Sequence, residues 1–188
     1  DAKHHHAKEV KDRHGAGRGL DIFSLADPAK PTWVSRVDFP VFTPRNEDFW
    51  TPRVANGFAF CCDSHNGLFV VDVKDPTRPR VVDRFCVPQK GAKWPSGAIS
   101  SCAIGEGCVY VTSFPGGLWV LPVAGVKPPV RPKGTPPAHP GYREPYPTDT
   151  AVFHVYRPAE AGQARTVVLR GDIADVAFGD AGLHVLRL

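Results

Sequence analysis

The stretch Gly67-Leu68-Phe69-Val70-Val71-Asp72-Val73-Lys74-Asp75-Pro76-Thr77-Arg78-Pro79 decides the fold of this 188-residue chain. It aligns without a gap on residues 19–31, Gly19-Leu20-Asp21-Ile22-Phe23-Ser24-Leu25-Ala26-Asp27-Pro28-Ala29-Lys30-Pro31. The glycine-leucine pair and its apolar run return at Gly117-Leu118-Trp119-Val120-Leu121 and at Gly182-Leu183-His184-Val185-Leu186. The four glycines are 48, 50 and 65 residues apart, and four-stranded propeller blades recur every ~40–50 residues. The chain is therefore a repeat protein.

Each aligned unit predicts a strand, a turn and a returning strand. The turn begins at an aspartate-proline pair, Asp27-Pro28 or Asp75-Pro76. Such a pair starts a turn because the aspartate accepts a hydrogen bond from backbone two residues on, and proline fixes the next φ near about −65°. The returning strands are predicted over residues 33–37 and 81–85.

Further β-rich segments precede the glycine-leucine pairs at hairpin spacing. They cover residues 58–62, 108–112 and 173–178, with innermost strands predicted over 98–104 and 164–169. We therefore expect an all-β fold of three to four propeller blades, each a sheet of four antiparallel strands. The first blade is represented mainly by its outer strands, and the last lacks its outermost strand.

This repeat resembles that of the LVIVD-repeat proteins, which are β-propellers with a Gly-Leu pair, an aliphatic run, an aspartate and an Asp-Pro-x-x-Pro turn. The resemblance covers most of residues 16–123 and returns over about 165–188, where the Asp-Pro turn is absent. It implies a propeller fold. It also implies a secreted or surface protein, extracellular, periplasmic or on the cell surface, without an established reaction.

Four segments follow from this pattern: a polar, histidine-rich segment at 1–15, propeller blades at 16–123, a proline-rich insert or arm at 124–150, and a further, incomplete blade at 151–188. Eight prolines in residues 124–147 prevent the insert from joining a sheet ladder. The insert is either an arm that wraps a partner chain or a solvated loop.

The predicted blade count is too small for a closed ring. Propellers close with about four to eight blades, and an open arc leaves blade faces and strand edges exposed. We expect another protein chain, identical or different, or the rest of the same polypeptide to complete the ring. The sequence contains no methionine, which indicates either that the native N-terminus lies upstream or that the first residue was processed.

The net charge of +4 lies outside the blades, because residues 1–18 and 124–147 carry +2 and +3. Neither segment interleaves aromatic with basic residues, so nucleic acid is not an expected partner. The sequence has no run of 18 apolar residues, and no membrane span is predicted.

Five cysteines, at positions 61, 62, 86, 102 and 108, are candidates for chemistry. Cys61 and Cys62 are neighbours in a predicted strand, so their side chains face opposite sides and do not chelate one metal together. Cys102 and Cys108 flank a turn, where a disulfide is one alternative. The other is that all five are small buried core residues.

The histidines offer weak candidates for a metal site. Imidazoles bind zinc, copper or nickel, but neighbouring side chains such as those of His4, His5 and His6 diverge. A solvated tail is the alternative interpretation of this segment. His65 lies in a tight turn, where a structural role is expected, and His184 is expected to lie beside the neighbouring blade.

No catalytic motif and no cofactor-binding motif occurs in the sequence. The side chains predicted to reach a channel mouth are Glu47, Asp48, Asp63 and the loop 93–95. The side chains predicted to fill gaps between blades are Trp50, Trp94 and Trp119.

Two functions remain in view. The first is a non-catalytic β-propeller scaffold or subunit that mediates protein-protein interaction in a secreted, periplasmic or cell-surface assembly. The alternative is part of a metal-dependent propeller enzyme, an oxidoreductase or hydrolase, with a site in the central channel. A fragment without independent function is a third interpretation.

Overall fold

The computed structural model describes residues 19–39, 49–87, 99–105, 107–114, 117–122, 154–157 and 163–188. In these residues lie the following strands: β1 Gly19–Ser24, β2 Thr32–Asp38, β3 Arg53–Ala55, β4 Phe58–Asp63, β5 Gly67–Asp72, β6 Arg80–Phe85, β7 Ile99–Gly105, β8 Cys108–Ser113, β9 Gly117–Pro122, β10 His154–Tyr156, β11 Thr166–Arg170, β12 Ile173–Ala177 and β13 Leu183–Arg187. A short 3-10 helix, Gly179–Ala181, precedes β13.

The strands form four antiparallel sheets, which we call blades 1 to 4. Blade 1 is β1-β2, blade 2 is β3-β4-β5-β6, blade 3 is β7-β8-β9-β10 and blade 4 is β11-β12-β13. Within each blade every strand pairs with the next one along the chain. The all-β prediction is confirmed, including a first blade of outer strands and a last blade without an outermost strand among the described residues.

The fourth strand of blade 3 lies beyond the proline-rich insert. Residues 123–153 are outside the described part of the chain, but β10 follows them and pairs with β9, where Val155 lies opposite Trp119. The segment 151–188, predicted to form one further blade, therefore contributes its first strand to blade 3. Blade 4 begins at β11.

The predicted turn chemistry is present in both aligned units. Asp27 Oδ1 accepts a hydrogen bond from the Ala29 amide at 3.0 Å, and Asp75 Oδ1 accepts one from the Thr77 amide at 2.9 Å. Arg80 also pairs with Asp72 at 3.0 Å across β5 and β6. These local bonds return the chain from the third to the fourth strand of a blade.

Successive blades stack face to face over three apolar clusters. Since side chains alternate along a strand, each inner blade contributes one set of side chains to the preceding blade and another to the following one. The buried members are Phe39, Ala59, Cys61, Phe69, Val71 and Val81 between blades 1 and 2; Phe60, Cys62, Leu68, Val70, Phe85, Val87, Ile99, Cys102, Val109, Val111, Trp119 and Leu121 between blades 2 and 3; and Ala103, Tyr110, Leu118, Ala164, Val167, Ala174, Val176 and Phe178 between blades 3 and 4.

The leucine of each glycine-leucine strand points toward the following blade. Leu20 packs against blade 2, Leu68 against blade 3 and Leu118 against blade 4. The next residue points the other way: Phe69 packs against blade 1 and Trp119 against blade 2. The repeat therefore fixes which side chains contact the following blade.

The glycine of the repeat lies against the fourth strand of its blade. Gly67 has φ +99°, and a Cβ atom there would overlap the carbonyl oxygen of Phe85 in β6. Gly117 has φ +83°, and its Cβ would overlap the carbonyl oxygen of Tyr156 in β10. Glycine suits both positions because it accepts a positive φ and leaves room for the neighbouring strand.

Candidate functional site

The outward face of blade 4 is the largest departure from the packing between the other blades. Leu183 and Val185 have 68% and 59% of their surface exposed, and Val168 beside them has 56%. At the equivalent positions of blade 2, Leu68 and Val70 are only 1% and 4% exposed, because blade 3 covers them. Blade 4 thus exposes a leucine-valine face, whereas the equivalent face of blade 2 is buried.

An ion pair lies within this face, between its aliphatic side chains. Asp175 lies opposite Val168 on one side and Val185 on the other, and its carboxylate accepts from Arg170 Nη2 at 3.0 Å. Hydrogen bonding to Arg170 lowers the pKa of Asp175 and raises that of Arg170. The face combines exposed aliphatic side chains with a charge pair that is satisfied within its own sheet.

The outer edge of β13 is also open among the described residues. The amides of Phe178 and Leu188 donate to the carbonyls of Gly182 and Asp172 at 2.8 Å. By the alternation of an antiparallel ladder, the amides of Leu183, Val185 and Arg187 point away from β12. Gly182 has φ +79°, and a Cβ atom there would meet no other atom within 4 Å. The space that the fourth strand fills in blades 2 and 3 is therefore open here.

The cysteines divide between the blade interfaces. Cys61 lies between blades 1 and 2, whereas Cys62 lies between blades 2 and 3, which confirms that neighbours in one strand face opposite sides. Cys102 shares the interface of Cys62, and Cys108 packs between blades 3 and 4. Four of the five are buried, and all five thiols are free.

The alternative of a Cys102–Cys108 disulfide is wrong. In the β7-β8 hairpin, Cys102 lies opposite Val111, and Cys108 lies opposite Gly105. The turn is shorter than the sequence suggested, with Gly107 at φ +69°, and this register puts the two sulfurs on opposite faces of blade 3.

Cys62 and Cys102 interact in the interface between blades 2 and 3, where the Cys102 thiol also donates to the Phe60 carbonyl at 3.9 Å. The hydrogen bond to Cys102 and burial raise the pKa of Cys62, while the same bond, with the charge of Arg53, lowers the pKa of Cys102. Burial raises the pKa of Cys61, on the other face of β4, to about 12. The raised pKa values favour the protonated form of the Cys61 and Cys62 thiols within the apolar packing of these interfaces.

The predicted histidine sites have different outcomes. His4, His5 and His6 lie outside the described residues, so a metal site there stays a prediction. His65 belongs to a turn in which its amide donates to Asp63 Oδ1 at 2.7 Å. His184 lies between blades 3 and 4, where Nδ1 is 2.9 Å from the Tyr156 hydroxyl and Nε2 is 3.1 Å from the Ala181 carbonyl oxygen.

Of the side chains predicted at a channel mouth, Asp63 is the one that the structure describes. It is fully buried and accepts hydrogen bonds from the His65 and Asn66 amides at 2.7 and 2.8 Å. Glu47, Asp48 and residues 93–95 lie outside the described part of the chain. Within that part, no group of three or more His, Cys, Asp and Glu side chains is placed to hold a metal ion.

A cleft of about 280 Å³ opens at the end of the blades where the innermost strands β7 and β11 begin. Its lining comes from three blades: Trp50, Thr51, Arg53, Ser100, Ser101, Phe114, Arg165 and Thr166. Trp119 fills the gap between blades 2 and 3, as predicted, with its ring 5.7 Å from that of Phe85. Trp50 does not fill such a gap; it is 47% exposed and lines the cleft.

Comparison with known families agrees with the fold described above. The family model of the LVIVD repeat matches residues 53–86 and 161–186. The chain carries LVIVD repeats. The first LVIVD repeat spans all four strands of blade 2, and the second spans nearly all of blade 4. The chain is therefore a β-propeller-like repeat domain.

A solved structure supports the same fold. The crystal structure of the computationally designed Ika4 protein matches with a TM-score of 0.52 and 8% sequence identity, over 84% of this chain and 73% of that one. At this identity the likeness shows the fold alone. No curated protein matches the chain. Among the described residues, no helix is long and apolar enough to span a membrane.

The alternation of the LVIVD repeats contains the signal for the open face, because Leu183 and Val185 repeat Leu68 and Val70. The cleft has no comparable signal in the sequence. Arg53 and Arg165 are 112 residues apart, and only the stacking of blades 2, 3 and 4 brings both to one cleft.

Proposed function

We propose that this chain is a non-catalytic β-propeller module that receives a further blade on the open face of blade 4. In this role it is a scaffold or subunit of a secreted, periplasmic or cell-surface assembly. The blade comes from another protein chain or from the rest of the same polypeptide. The observation that carries the proposal is the exposure of Leu183 and Val185, whose repeat equivalents Leu68 and Val70 are buried by a following blade.

The chemistry of the face favours a blade over a soluble small ligand. Its aliphatic side chains stand on a three-stranded sheet on either side of Asp175, whose charge Arg170 pairs, and burial of apolar surface stabilises an interface by about 25 cal/mol per Å². A blade presents the complementary surface, because its own strands alternate in the same way. Two aromatic residues within the chain already cover such faces. Trp119 of blade 3 packs against Leu68 and Val70 of blade 2, and Phe69 of blade 2 packs against Leu20 and Val37 of blade 1.

The edge of β13 adds a second element of recognition. Three amides there point away from β12, and Gly182 leaves the space that a fourth strand occupies in blades 2 and 3. A strand pairing with this edge contributes main-chain hydrogen bonds, as in β-augmentation. We infer that the partner supplies this strand together with the covering blade.

The test is the mass of the protein in solution, measured by light scattering for the purified chain and for the protein isolated from its source. The variant Leu183→Asp introduces a charge into the face. Leu25→Asp is the matched control, since Leu25 is 64% exposed in the turn after β1, in blade 1. Both leucines are exposed in the separate chain, so each substitution places the aspartate in solvent unless a partner covers it.

The proposal predicts an assembly larger than the 20.4 kDa of one chain, in at least one of the two preparations. Leu183→Asp should raise its dissociation constant by about a hundredfold, because an aspartate cannot be buried unpaired without a large cost, whereas Leu25→Asp should leave it unchanged. Assembly of the purified chain alone identifies a second copy as the partner. A monomer in both preparations, or equal effects of the two variants, contradicts the proposal.

The alternative function, a metal-dependent propeller enzyme, remains a prediction. Metal content after purification tests it: a stoichiometric ion that persists when His4, His5 and His6 are replaced by alanine would favour the enzyme.

A further inference from the structure

We propose that the cleft between blades 2, 3 and 4 binds a small organic anion, a carboxylate attached to an aromatic group. The cleft lies where the innermost strands β7 and β11 begin, and Leu183, Val185 and Val168 of the open face are not among its lining residues. The inference is therefore independent of the assembly proposed above.

The described lining of the cleft is positively charged. Of the eight lining residues that the structure describes, two are Arg53 and Arg165, and none of the eight is an aspartate or glutamate. No ion pair joins either guanidinium to a carboxylate within the part of the chain that the structure describes. A guanidinium has five N–H donors in a fork that matches a carboxylate, so the two arginines favour an anionic ligand.

Arg165 is held in place by the blades around it. Its guanidinium carbon lies 4.3 Å from the centre of the Phe114 ring, and Nη2 donates to Gln163 Oε1 at 2.7 Å. Its backbone amide donates to the Ala177 carbonyl at 2.8 Å, and its carbonyl accepts from the Thr112 hydroxyl at 3.4 Å. A positioned guanidinium loses less conformational entropy on binding than a solvated one.

Buried hydroxyls underneath fix the floor of the cleft. The Ser100 and Thr112 hydroxyls lie 3.1 Å apart, and Ser100 also donates to the Ala164 carbonyl at 3.1 Å. Both side chains are buried. This network joins blade 3 to the residues that lead into β11, and so maintains the distance across the cleft.

Trp50 provides an aromatic surface from the blade 2 side of the cleft, whereas Arg165 comes from blade 4. Its indole N–H donates to Ser64 Oγ at 2.7 Å, and its backbone amide donates to the Cys62 carbonyl at 2.9 Å. Both the indole and the backbone of Trp50 are therefore held by hydrogen bonds, while 47% of the residue's surface stays exposed. Anchored tryptophans offer a rigid face for stacking, which favours an aromatic group on the anion.

The volume limits the size of the ligand. Sites for drug-sized molecules have volumes of about 300–1,000 Å³, and this cleft, at about 280 Å³, lies just below that range. A single ring with a short carboxylate arm is the class that fits. An anion of roughly ten non-hydrogen atoms is expected to bind with a dissociation constant on the order of 1 mM.

Phenylacetate is the probe for the test. Its binding is followed by ¹H–¹⁵N NMR through the indole N–H signal of Trp50, which is assigned with the variant Trp50→Phe. Acetate, which lacks the ring, and 2-phenylethylammonium, which reverses the charge, are the ligand controls. Arg53→Gln and Arg165→Gln remove the charges one at a time at exposed positions. Arg78→Gln is the matched control, since Arg78 is exposed in the turn between β5 and β6.

The expected result is a saturable shift of the Trp50 signal by phenylacetate, a weaker response to acetate and none to 2-phenylethylammonium. Each cleft variant should weaken binding about tenfold or more, as the loss of a charge-assisted hydrogen bond does, and Arg78→Gln should bind like the wild type. Three outcomes overturn the proposal: no saturable shift, equal binding of 2-phenylethylammonium, or wild-type binding by both cleft variants. The spectra also report whether each variant is folded.

Discussion

Blades 2 and 4 carry the same repeat and differ in what covers it. Leu68 in blade 2 is 1% exposed under blade 3, whereas its equivalent in blade 4, Leu183, is 68% exposed. The glycines before them differ in the same way, because β6 lies against the Cβ position of Gly67, whereas a Cβ at Gly182 would have no neighbour within 4 Å. The repeat thus encodes a surface for the next strand and the next blade, whether or not the described chain supplies them.

The largest expected difference in stability between substitutions in blades 2 and 4 is at the glycines of the repeat. Gly67→Ala places a methyl group against the Phe85 carbonyl at φ +99°, so it should lower the free energy of unfolding by about 4 kcal/mol, from strain and overpacking together. In Gly182→Ala the added Cβ meets no neighbour, so the cost is only the strain of the backbone at φ +79° and ψ −151°, about 1–3 kcal/mol. Urea unfolding of both variants measures the comparison.

Equal losses of stability in the two variants would contradict the claim that the fourth strand is what makes glycine necessary at this position of the repeat. In an assembly that supplies the missing strand, Gly182→Ala should become as costly as Gly67→Ala. The comparison thus reports directly on whether the edge of β13 is covered.

The next difference concerns the leucines. Leu68→Ala creates a cavity between blades 2 and 3 and should cost about 3 kcal/mol, within the range for buried leucines. Leu183→Ala in the separate chain should change the stability by less than about 0.5 kcal/mol, as expected at an exposed position. A loss of more than about 2 kcal/mol at Leu183 in a monomeric chain would show that something within the chain already covers the face.

The smallest effect comes from the buried thiol of Cys61 in the interface between blades 1 and 2. Burial raises its pKa to about 12, so between about pH 9 and pH 12 the unfolded chain releases a proton that the folded chain retains. The free energy of unfolding therefore falls as pH rises through this window, by at most about 1.4 kcal/mol per pH unit for one thiol.

Urea unfolding between pH 8.5 and about pH 10.5 measures that slope. Cys61→Ala should make it shallower, and Cys108→Ala, which removes the half-buried cysteine of another interface, is the control for loss of a thiol. A slope unchanged by Cys61→Ala would show that this thiol ionises as readily in the folded as in the unfolded chain.

The strands and the stacking of the blades were accessible from the sequence because their causes are local. Alternation along residues 67–71 fixes which side chains face each neighbouring blade, and the Asp75-Pro76 pair fixes the turn. The pairing of β10 with β9 was not accessible, since the proline-rich insert separates them. Nothing local states that a strand beyond such an insert returns to the preceding sheet.

The cleft and the cysteine pairings depend on geometry that a single segment does not encode. Arg53, Phe114 and Arg165 meet because three blades stack at fixed spacing. Cys102 and Cys108 separate because the register of one hairpin depends on a short turn with a left-handed glycine at position 107. A change of one residue in that register would move a side chain to the other face.

Amide hydrogen exchange at Leu68 and Leu183 tests the central claim most directly. Both amides occupy the same repeat position and point toward the place of a fourth strand, which is β6 for Leu68 and is open for Leu183. The account predicts that Leu68 is protected always, while Leu183 exchanges fast in the separated chain and becomes protected in the assembly. Protection of Leu183 in the separated chain, or fast exchange of Leu183 in the assembly, would contradict it.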